Sequence, residues 1–588
     1  MNAITRRSFL GAGALLPFRA SAARRPNIVA ILADDQGWGD LSVHGNRNLS
    51  TPNIDSLARD GALFDRFFVC SVCAPTRAEF LTGRYYARGG VRGVSTGQER
   101  LNLDEHTVAQ TFKASGYSTG AFGKWHNGSQ FPYHPRARGF DEFYGFTSGH
   151  WGHYFDTEMD HNGRLTRGKG YMTDDLTDHA IEFIGKNKDN PFFCYVPYNT
   201  PHSPMQVPDR FYEKFAKADP TMLNRDPKRE DIAMTRAALA MCENIDWNVG
   251  RILKQLRDLN LDNDTIVFYF SDNGPNSWRW NGGMKGRKGS ADEGGLRVPF
   301  LIRWPGQIKP GKRIQQIAGA IDLLPTLADM ASIPVKSTKP LDGVSLKPLL
   351  SSDAKQWPDR MIFSLRNNQA SVRTQQYRLD VEGQLFDMIA DPGQDRNIAG
   401  EQPEVAVKLQ KAGDGFLKEV LPGVGADERP YPVGYSELTL LPARDGVSAG
   451  GIKRSARPPN SSFFTNWTST GDAMTWNIEV GQAGDFTASI HYTCPKADTG
   501  STIELSFLGG KVQAKIAEGH DPPLVGAAED RVERGESYVK DFRPMSLGRL
   551  RLAKGKGKLT LRALDVAGKS VADVRYVVLT RLTLETGP

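Results

Sequence analysis

The apolar run at residues 28–33 stops abruptly at Asp34-Asp35. Residues 266–270 repeat the arrangement and stop at Ser271-Asp272-Asn273-Gly274, and residues 192–196 run on toward Asn199-Thr200-Pro201-His202. Runs apolar on both faces are what strands buried between two helical layers require, whereas a strand with one wet face alternates. Helical spacing at residues 55–64, 105–115, 174–184 and 232–259 falls between such runs. Residues 24–352 are therefore predicted to form an α/β domain, an α/β/α sandwich on a mainly parallel sheet. From Trp357 the pattern shortens to alternating strands at 361–365 and 377–380, then a helix at 403–421. Residues 353–425 thus read as a smaller antiparallel α+β subdomain. Residues 426–461 are rich in Gly, Pro and polar residues and are predicted to be a linker. Beyond it, the segments 474–480, 486–492, 502–507, 557–563 and 573–582 alternate between turn signals, so 462–588 is predicted to be an all-β sandwich.

Composition narrows the class. At 588 residues the chain has room for two to four domains. No apolar run approaches the roughly 18 residues a bilayer span needs, so no membrane span is expected. The formal charge is +7, without a dense basic block or a basic stripe interleaved with aromatics, and no nucleic-acid partner is expected. Residues 1–22 contain Thr5-Arg6-Arg7-Ser8-Phe9-Leu10, an apolar stretch at 11–16 and Ala20-Ser21-Ala22, which resembles a twin-arginine export signal with its cleavage site. That reading makes the export machinery a partner and the location periplasmic or secreted. Losing Arg6, Arg7 and Arg19 would take the charge from +7 to +4. Five cysteines are too few for a disulfide scaffold, and their odd number leaves one over.

Candidate chemistry lies at the strand ends, where the loops of an open α/β sheet converge on ligands. Asp34, Asp35, Asp272 and Asn273 offer four oxygen donors from two distant segments, which suits a hard divalent cation, Ca²⁺ or Mg²⁺, better than zinc. Taken singly, Asp-Gln-Gly and Asp-Asn-Gly are also ordinary turn compositions.

Cys73-Ala74-Pro75-Thr76-Arg77, followed by Leu81-Thr82-Gly83-Arg84, resembles the signature of the formylglycine-dependent type I sulfatases. Further motifs stand in that family's order: Asp34-Asp35-Gln36-Gly37, Gly123-Lys124-Trp125-His126, Pro201-His202-Ser203-Pro204, Asp272-Asn273-Gly274, and Lys288-Gly289 ahead of Glu293-Gly294-Gly295. The similarity runs from about Asn27 to Val420. It implies an alkaline-phosphatase-like fold and hydrolysis of sulfate esters, on a sulfated carbohydrate, through a sulfated enzyme intermediate. It also implies that a formylglycine-generating enzyme converts Cys73 to formylglycine (3-oxoalanine), whose hydrate is the nucleophile and a ligand of one divalent cation. Ca²⁺ is the first expectation and Mg²⁺ the alternative, held by Asp34, Asp35, Asp272 and Asn273. Arg77, Lys124 and Lys288 would neutralise the sulfate charge, His126 would handle the proton of the diol, and His202 with Lys288 would assist the leaving alcohol. Such assignments suit the chemistry, because expelling an alkoxide from sulfur needs charge neutralisation and a proton for the leaving oxygen.

Several alternatives stand beside this. Cys73 could pair with Cys70 as a Cys-x-x-Cys redox or structural site. Lys285 competes with Lys288, and the spacing to Glu293 favours Lys288. Asn127-Gly128 follows His126 where the family often has Leu-Gly. His150, Trp151 and His153, with Tyr154 and His161 in the same stretch, either line a sugar pocket or belong to a solvated loop. The C-terminal region, with Trp467 and Trp476, resembles carbohydrate-binding β-sandwich modules and would either bind glycan or pack on the first domain. Two other functions compete: a phosphate or phosphonate monoester hydrolase of the same superfamily, and a non-catalytic binder of sulfated glycans.

Overall fold

The computed structural model describes residues 25–351, 357–423 and 427–582. Residues 1–22, expected above to be an export signal, lie outside the described residues. The first domain is built on an eleven-stranded sheet: β1 (Asn27–Ala33), β2 (Ala62–Phe68), β3 (Ser118–Lys124), β4 (Glu142–Phe146), β5 (Glu158–His161), β6 (Arg164–Arg167), β7 (Phe192–Pro197), β8 (Thr265–Ser271), β9 (Arg297–Arg303), β10 (Lys312–Ile314) and β11 (Ala318–Gly319). The spatial order is β10-β2-β9-β8-β1-β7-β3-β4-β5-β6, with β11 also beside β2. Strands β8, β1, β7, β3 and β4 are parallel, and β9 and β5 run against their neighbours.

All seven residues of β1 are buried, and they divide between two cores. Ile28, Ala30 and Leu32 face one apolar layer, whereas Val29, Ile31 and Ala33 face the other. A run apolar at every position is what that double cover demands. One layer is closed by the helices Met172–Lys186 and Ile232–Asp258 together with α1 (Pro52–Arg59). The other is closed by α2 (Cys73–Thr82), Val108–Ala114 and Leu323–Met330. The single helix expected at 55–64 ends at Arg59, and Ala62–Phe64 begins a fully buried strand. A Cβ on Gly61 would stand 2.2 Å from the Ile302 carbonyl oxygen, so the chain reverses against β9 at the one residue without a side chain. Apolar spacing over so short a stretch suits helix and buried strand alike.

A four-stranded antiparallel sheet, Ile362–Arg366, Gln369–Arg373, Tyr377–Leu379 and Leu385–Asp387, carries the helix Pro403–Val420 across it. Two six-stranded sheets follow, enclosing Trp467, Trp476, Phe486 and Leu559. The linker expected at 426–461 is part of this sandwich. Tyr431–Val433 pairs with Ala473–Val480, and Leu438–Pro442 pairs with Asp573–Arg581. Its prolines and glycines sit between short strands, and Trp476 Nε1 donates to the Pro442 carbonyl at 2.9 Å.

The sandwich is locked to the first domain rather than tethered beside it. The excursion between strands Gly510–Lys515 and Arg543–Leu552 reaches the loop after β7. There Gln206 and Asp530 form a bridge, Gln206 Nε2 donates to Gly526 O and Asp530 Oδ1, both at 2.8 Å, and Arg531 N donates to Met205 O at 2.9 Å. Arg534 is buried, paired to Asp530 at 2.5 Å, and donates to Gly152 O. At another edge Tyr576 Oη donates to Glu158 at 3.0 Å, and Gln130 Nε2 donates to Leu440 O at 3.0 Å. Losing either body would strand these buried groups, each at a cost of about 1–3 kcal/mol. Thermal unfolding followed by calorimetry should therefore show the sandwich and the α/β domain melting in one coupled transition. Two well-separated transitions would contradict the interlock.

Candidate functional site

Register brings the first two groups together. Ala33 pairs with Ser271 in the parallel β1–β8 ladder, so Asp34 and Asp272 leave the sheet side by side at its carboxyl end. The turn after β1 folds back: Asp35 has φ 69°, a left-handed conformation that Asp tolerates better than most residues, and its N–H donates to Asp272 Oδ1 at 3.2 Å. Asn273 Nδ2 donates to Asp35 Oδ1 at 2.8 Å. A buried pair that sequence reasoning missed fixes this turn. Asp40 accepts from Gly37 N at 2.7 Å and from Arg279 Nε at 2.8 Å, while Arg279 Nη2 donates to Asp35 O at 3.1 Å.

Cys73 is the first residue of α2, and each motif residue after it has a local job. Pro75 lies in the first turn, where its absent N–H costs no helical bond. Thr76 Oγ1 accepts from Cys70 N at 2.8 Å. Arg77, four residues on, shares the face of Cys73. Its side chain is fully buried, with Nε and Nη2 on Asp272 Oδ2 at 3.0 and 2.7 Å and Nη1 on Lys124 O at 2.7 Å. The guanidinium thus holds Asp272 and the end of β3 in place. Cys73 and Cys70 are both free thiols, with no bond between them.

Lys124 ends β3 and places Nζ 2.6 Å from Asp34 Oδ2. Gly123 before it has φ 142°, and a Cβ there would lie 1.9 Å from Pro197 O, so only glycine lets β3 and β7 deliver Lys124. Lys288 Nζ grips Asp35 through both oxygens, at 2.7 and 2.8 Å. Lys285 instead pairs with Asp292 at 3.5 Å, which settles the competition for Lys288. His202 Nε2 lies 3.6 Å from Asp35 Oδ2, and its Nδ1 is 2.7 Å from Ser203 O. A carbonyl accepts, so Nδ1 carries the proton. His126 is fully buried with Nε2 2.7 Å from Val94 O, which by the same logic leaves Nδ1 as a lone pair, and that atom has no partner. Asn127 is a positioning residue: its Nδ2 donates to Ala74 O at 3.2 Å and Glu99 O at 3.3 Å, tying the start of α2.

Burial and the tight packing of opposite charges dominate the electrostatics of the site. Burial pushes the Asp34 carboxyl up to about 8; Lys124 pulls against this, and the Asp272 and Asp35 charges add to it. Burial acts the same way on Asp35, but Lys288, His202 and Lys124 outweigh it and hold that carboxyl below the usual carboxylate range. Burial and Lys288 push His202 down to about 4, and burial with Lys124 pushes His126 well below its ordinary value, so both imidazoles are neutral. Burial raises the Cys73 thiol to about 11. Asp34 Oδ1 and Asn273 Oδ1 are buried without a hydrogen-bond partner. Ligand atoms of Asp34, Cys73 and Asp272 lie within 4.8 Å of one another, as do those of Asp34, Asp35 and His202. Orphaned buried oxygens are rare and costly, and hard oxygen donors gathered this way fit a divalent cation.

A cavity of about 330 Å³ opens onto Asp35, His202 and Lys288. Part of its wall comes from the sandwich, through Pro458, Glu533 and Glu536, and Ser203 Oγ donates to Glu536. Of the expected sugar-pocket residues, His150 reaches this region, stacked on His202 with ring centres 5.7 Å apart and its Nε2 3.1 Å from Ser461 Oγ. Trp151 and His153 do not line the cavity. Trp151 donates to Thr157 and packs on Phe146, and His153 lines a groove against the sandwich. The loop was neither solvated nor wholly a pocket, because the sandwich covers it. Tyr154, from the same stretch, has a buried hydroxyl that donates to Ser203 O at 2.9 Å and lies 3.1 Å from His202 O, so it supports the His202 loop.

Residues 26–333 match the model of the family described as Sulfatase, and residues 288–413 match that described as N-sulphoglucosamine sulphohydrolase, C-terminal. N-acetylgalactosamine-6-sulfatase of Mus musculus is 33% identical over 386 residues, covering 59% of this chain and 70% of that protein. Arylsulfatase A of Homo sapiens is 31% identical over 467 residues, covering 66% of this chain and 87% of that protein. The solved structure of Ps i-CgsB in complex with k-i-k-neocarrahexaose superposes with a TM-score of 0.60 at 30% identity, covering 67% of this chain and 93% of that one. Both family matches end before the sandwich begins.

Arg77→Ala should destabilise the fold by about 3–5 kcal/mol in denaturant titration, because it strands a buried carboxylate. A loss below about 1 kcal/mol would contradict the positioning role.

Proposed function

The chain belongs to the sulfatase family and is a sulfuric ester hydrolase, and from that premise we propose that it removes sulfate from a sulfated carbohydrate through Cys73 converted to formylglycine, with a Ca²⁺ ion in the Asp34–Asp272 cluster. The observation that carries the reading is the convergence on one buried point of Cys73, Asp34 and Asp272, ringed by Lys124, His126, His202 and Lys288. The substrate class is supported by relatives named for a sulfated sugar and by a structural relative holding a neocarrahexaose. Asp34, Asp35, Asp272 and Asn273 would hold the cation, and their all-oxygen character fits a hard divalent ion, Ca²⁺ first and Mg²⁺ as the alternative. When bound, the cation supplies Lewis-acid polarisation of a sulfate oxygen and lowers the pKa of a bound hydroxyl.

The protein's own groups divide the remaining work. Burial raises the Cys73 thiol to about 11, so an unconverted Cys73 would be a weak nucleophile at neutral pH. The formylglycine hydrate supplies an attacking oxygen and a second hydroxyl through which sulfate can leave. His126 Nδ1, neutral and unpartnered, is the acceptor for the proton of that diol. Lys124 and Lys288 supply positive charge to the sulfate oxygens, held ready on Asp34 and Asp35. His202, its ring fixed by Ser203 O, stands with Lys288 at the cavity mouth where the alcohol departs. Export belongs to the same proposal: Arg6-Arg7 and the apolar stretch after them support a twin-arginine route to the periplasm or beyond, and Cys73 makes a formylglycine-generating enzyme a partner.

Mass spectrometry of the tryptic peptide 67–77, from protein made in a host with the maturation enzyme, should find an aldehyde at position 73. Cys73→Ala should lower kcat by at least ~10³-fold while leaving the unfolding midpoint unchanged. Intact thiol alone in protein that still cleaves sulfate esters would reject the mechanism.

A further inference from the structure

A second cavity, about 560 Å³, meets the catalytic one at Lys288 and runs away from it. Its lining holds Arg225, Arg229, Lys285, Arg287 and Arg366 beside Lys288, against the carboxylates of Asp226 and Asp292 only. Arg225 is paired to Asp395, Lys285 to Asp292 and Lys288 to Asp35. Among the described residues no carboxylate lies within ion-pair distance of Arg229, Arg287 or Arg366. Arg229 and Arg287 both lie over the ring of Trp278, 3.8 and 5.2 Å from its centre, so two guanidinium groups share one indole face system with no counter-charge. Arg287 is further fixed by donating to Asn276 O at 2.9 Å, and Asn276 lines the catalytic cavity. Stacking on an aromatic ring orients a guanidinium and leaves its N–H edge free for an anion.

We propose that this groove is a second anion subsite, built by Arg229, Arg287 and Arg366, that holds a further sulfate or carboxylate of a polyanionic glycan while the scissile sulfate ester lies by His202 and Lys288. It rests on the reading that a sulfate ester occupies that cavity, and it deepens it: the substrate carries at least two anionic groups, on neighbouring positions or residues of one carbohydrate. A singly charged aryl sulfate fills only the first site. The occupant is carbohydrate rather than nucleic acid because the groove is continuous with the sulfate-ester cavity and its one aromatic ring is already covered by arginine, leaving no free face on which a base could stack.

The test uses the full chain with three changes: Arg229→Ala with Arg287→Ala, their Lys counterparts, and the exposed Arg366→Glu. Binding of a labelled heparin hexasaccharide is measured in a Cys73→Ala background, and turnover of 4-nitrophenyl sulfate in the matured enzyme. The Ala pair and Arg366→Glu should each weaken hexasaccharide binding roughly tenfold or more, with a shallower salt dependence. The Lys pair should recover part of the loss, and kcat/KM for 4-nitrophenyl sulfate should stay within about twofold. Unchanged hexasaccharide affinity would overturn the subsite, as would equal losses on hexasaccharide and aryl sulfate. Equally tight, arginine-dependent binding of a single-stranded DNA oligomer would overturn the carbohydrate assignment. Absence of aryl sulfate turnover with arginine-dependent binding intact would reject the sulfatase mechanism and leave the subsite standing.

Discussion

Three carboxylates, Asp34, Asp35 and Asp272, are held in one buried volume at the end of the sheet, and everything around them answers that repulsion. Like charges a few ångströms apart in a medium poorer than water repel by several kcal/mol, so the cluster exists only with its cations in place. Arg77 takes Asp272, Lys124 takes Asp34 and Lys288 takes Asp35. Even so, Asp34 Oδ1 and Asn273 Oδ1 have no hydrogen-bond partner, and burial drives the Asp34 carboxyl upward. The three charges are matched one for one, and what is left over is two buried oxygen acceptors with no donor. Those unpartnered oxygens make the apo site costly and leave it preorganised to receive a cation.

The sandwich shares in this site instead of standing apart from it. Gln206, Arg531 and Arg534 knit its long excursion onto the loop that carries His202, and Glu536 accepts from Ser203 beside that histidine. The family matches stop before this domain, which in this chain supplies one wall of the cavity and cover for the loop of His150 to His153. The basic groove meets that cavity at Lys288.

Much of this was legible in the chain because it depends on neighbours in sequence. Apolar runs covered on both faces and stopping at Asp34 and Asp272 announced buried strands with a site at their ends, and Cys73 to Arg77 carried its own helical geometry. Lys124, His126, His202 and Lys288 were legible only through motif resemblance, since nothing local distinguishes them from surface residues. What stayed hidden depends on distant contacts. The turn at Gly61 follows from the approach of Ile302, the role of Arg77 from Asp272, and the fate of Trp151 and His153 from a domain three hundred residues away. The strands at 431–433 and 438–442 read as linker because short edge strands carry too few alternating positions to outweigh their prolines and glycines. The arginines over Trp278 come from two separate loops, and no spacing rule connects them.

The central claim is that the carboxylate cluster is a divalent-cation site on which the catalytic arrangement depends. Calcium titration of chelator-treated protein by calorimetry, with Asp272→Asn and Asp34→Asn alongside, tests it without any need for turnover. The account predicts one equivalent of calcium bound by the wild-type chain, a melting temperature that rises with calcium concentration, and loss of both in the two variants. A wild-type chain that binds no divalent cation and melts at the same temperature with and without one would contradict it.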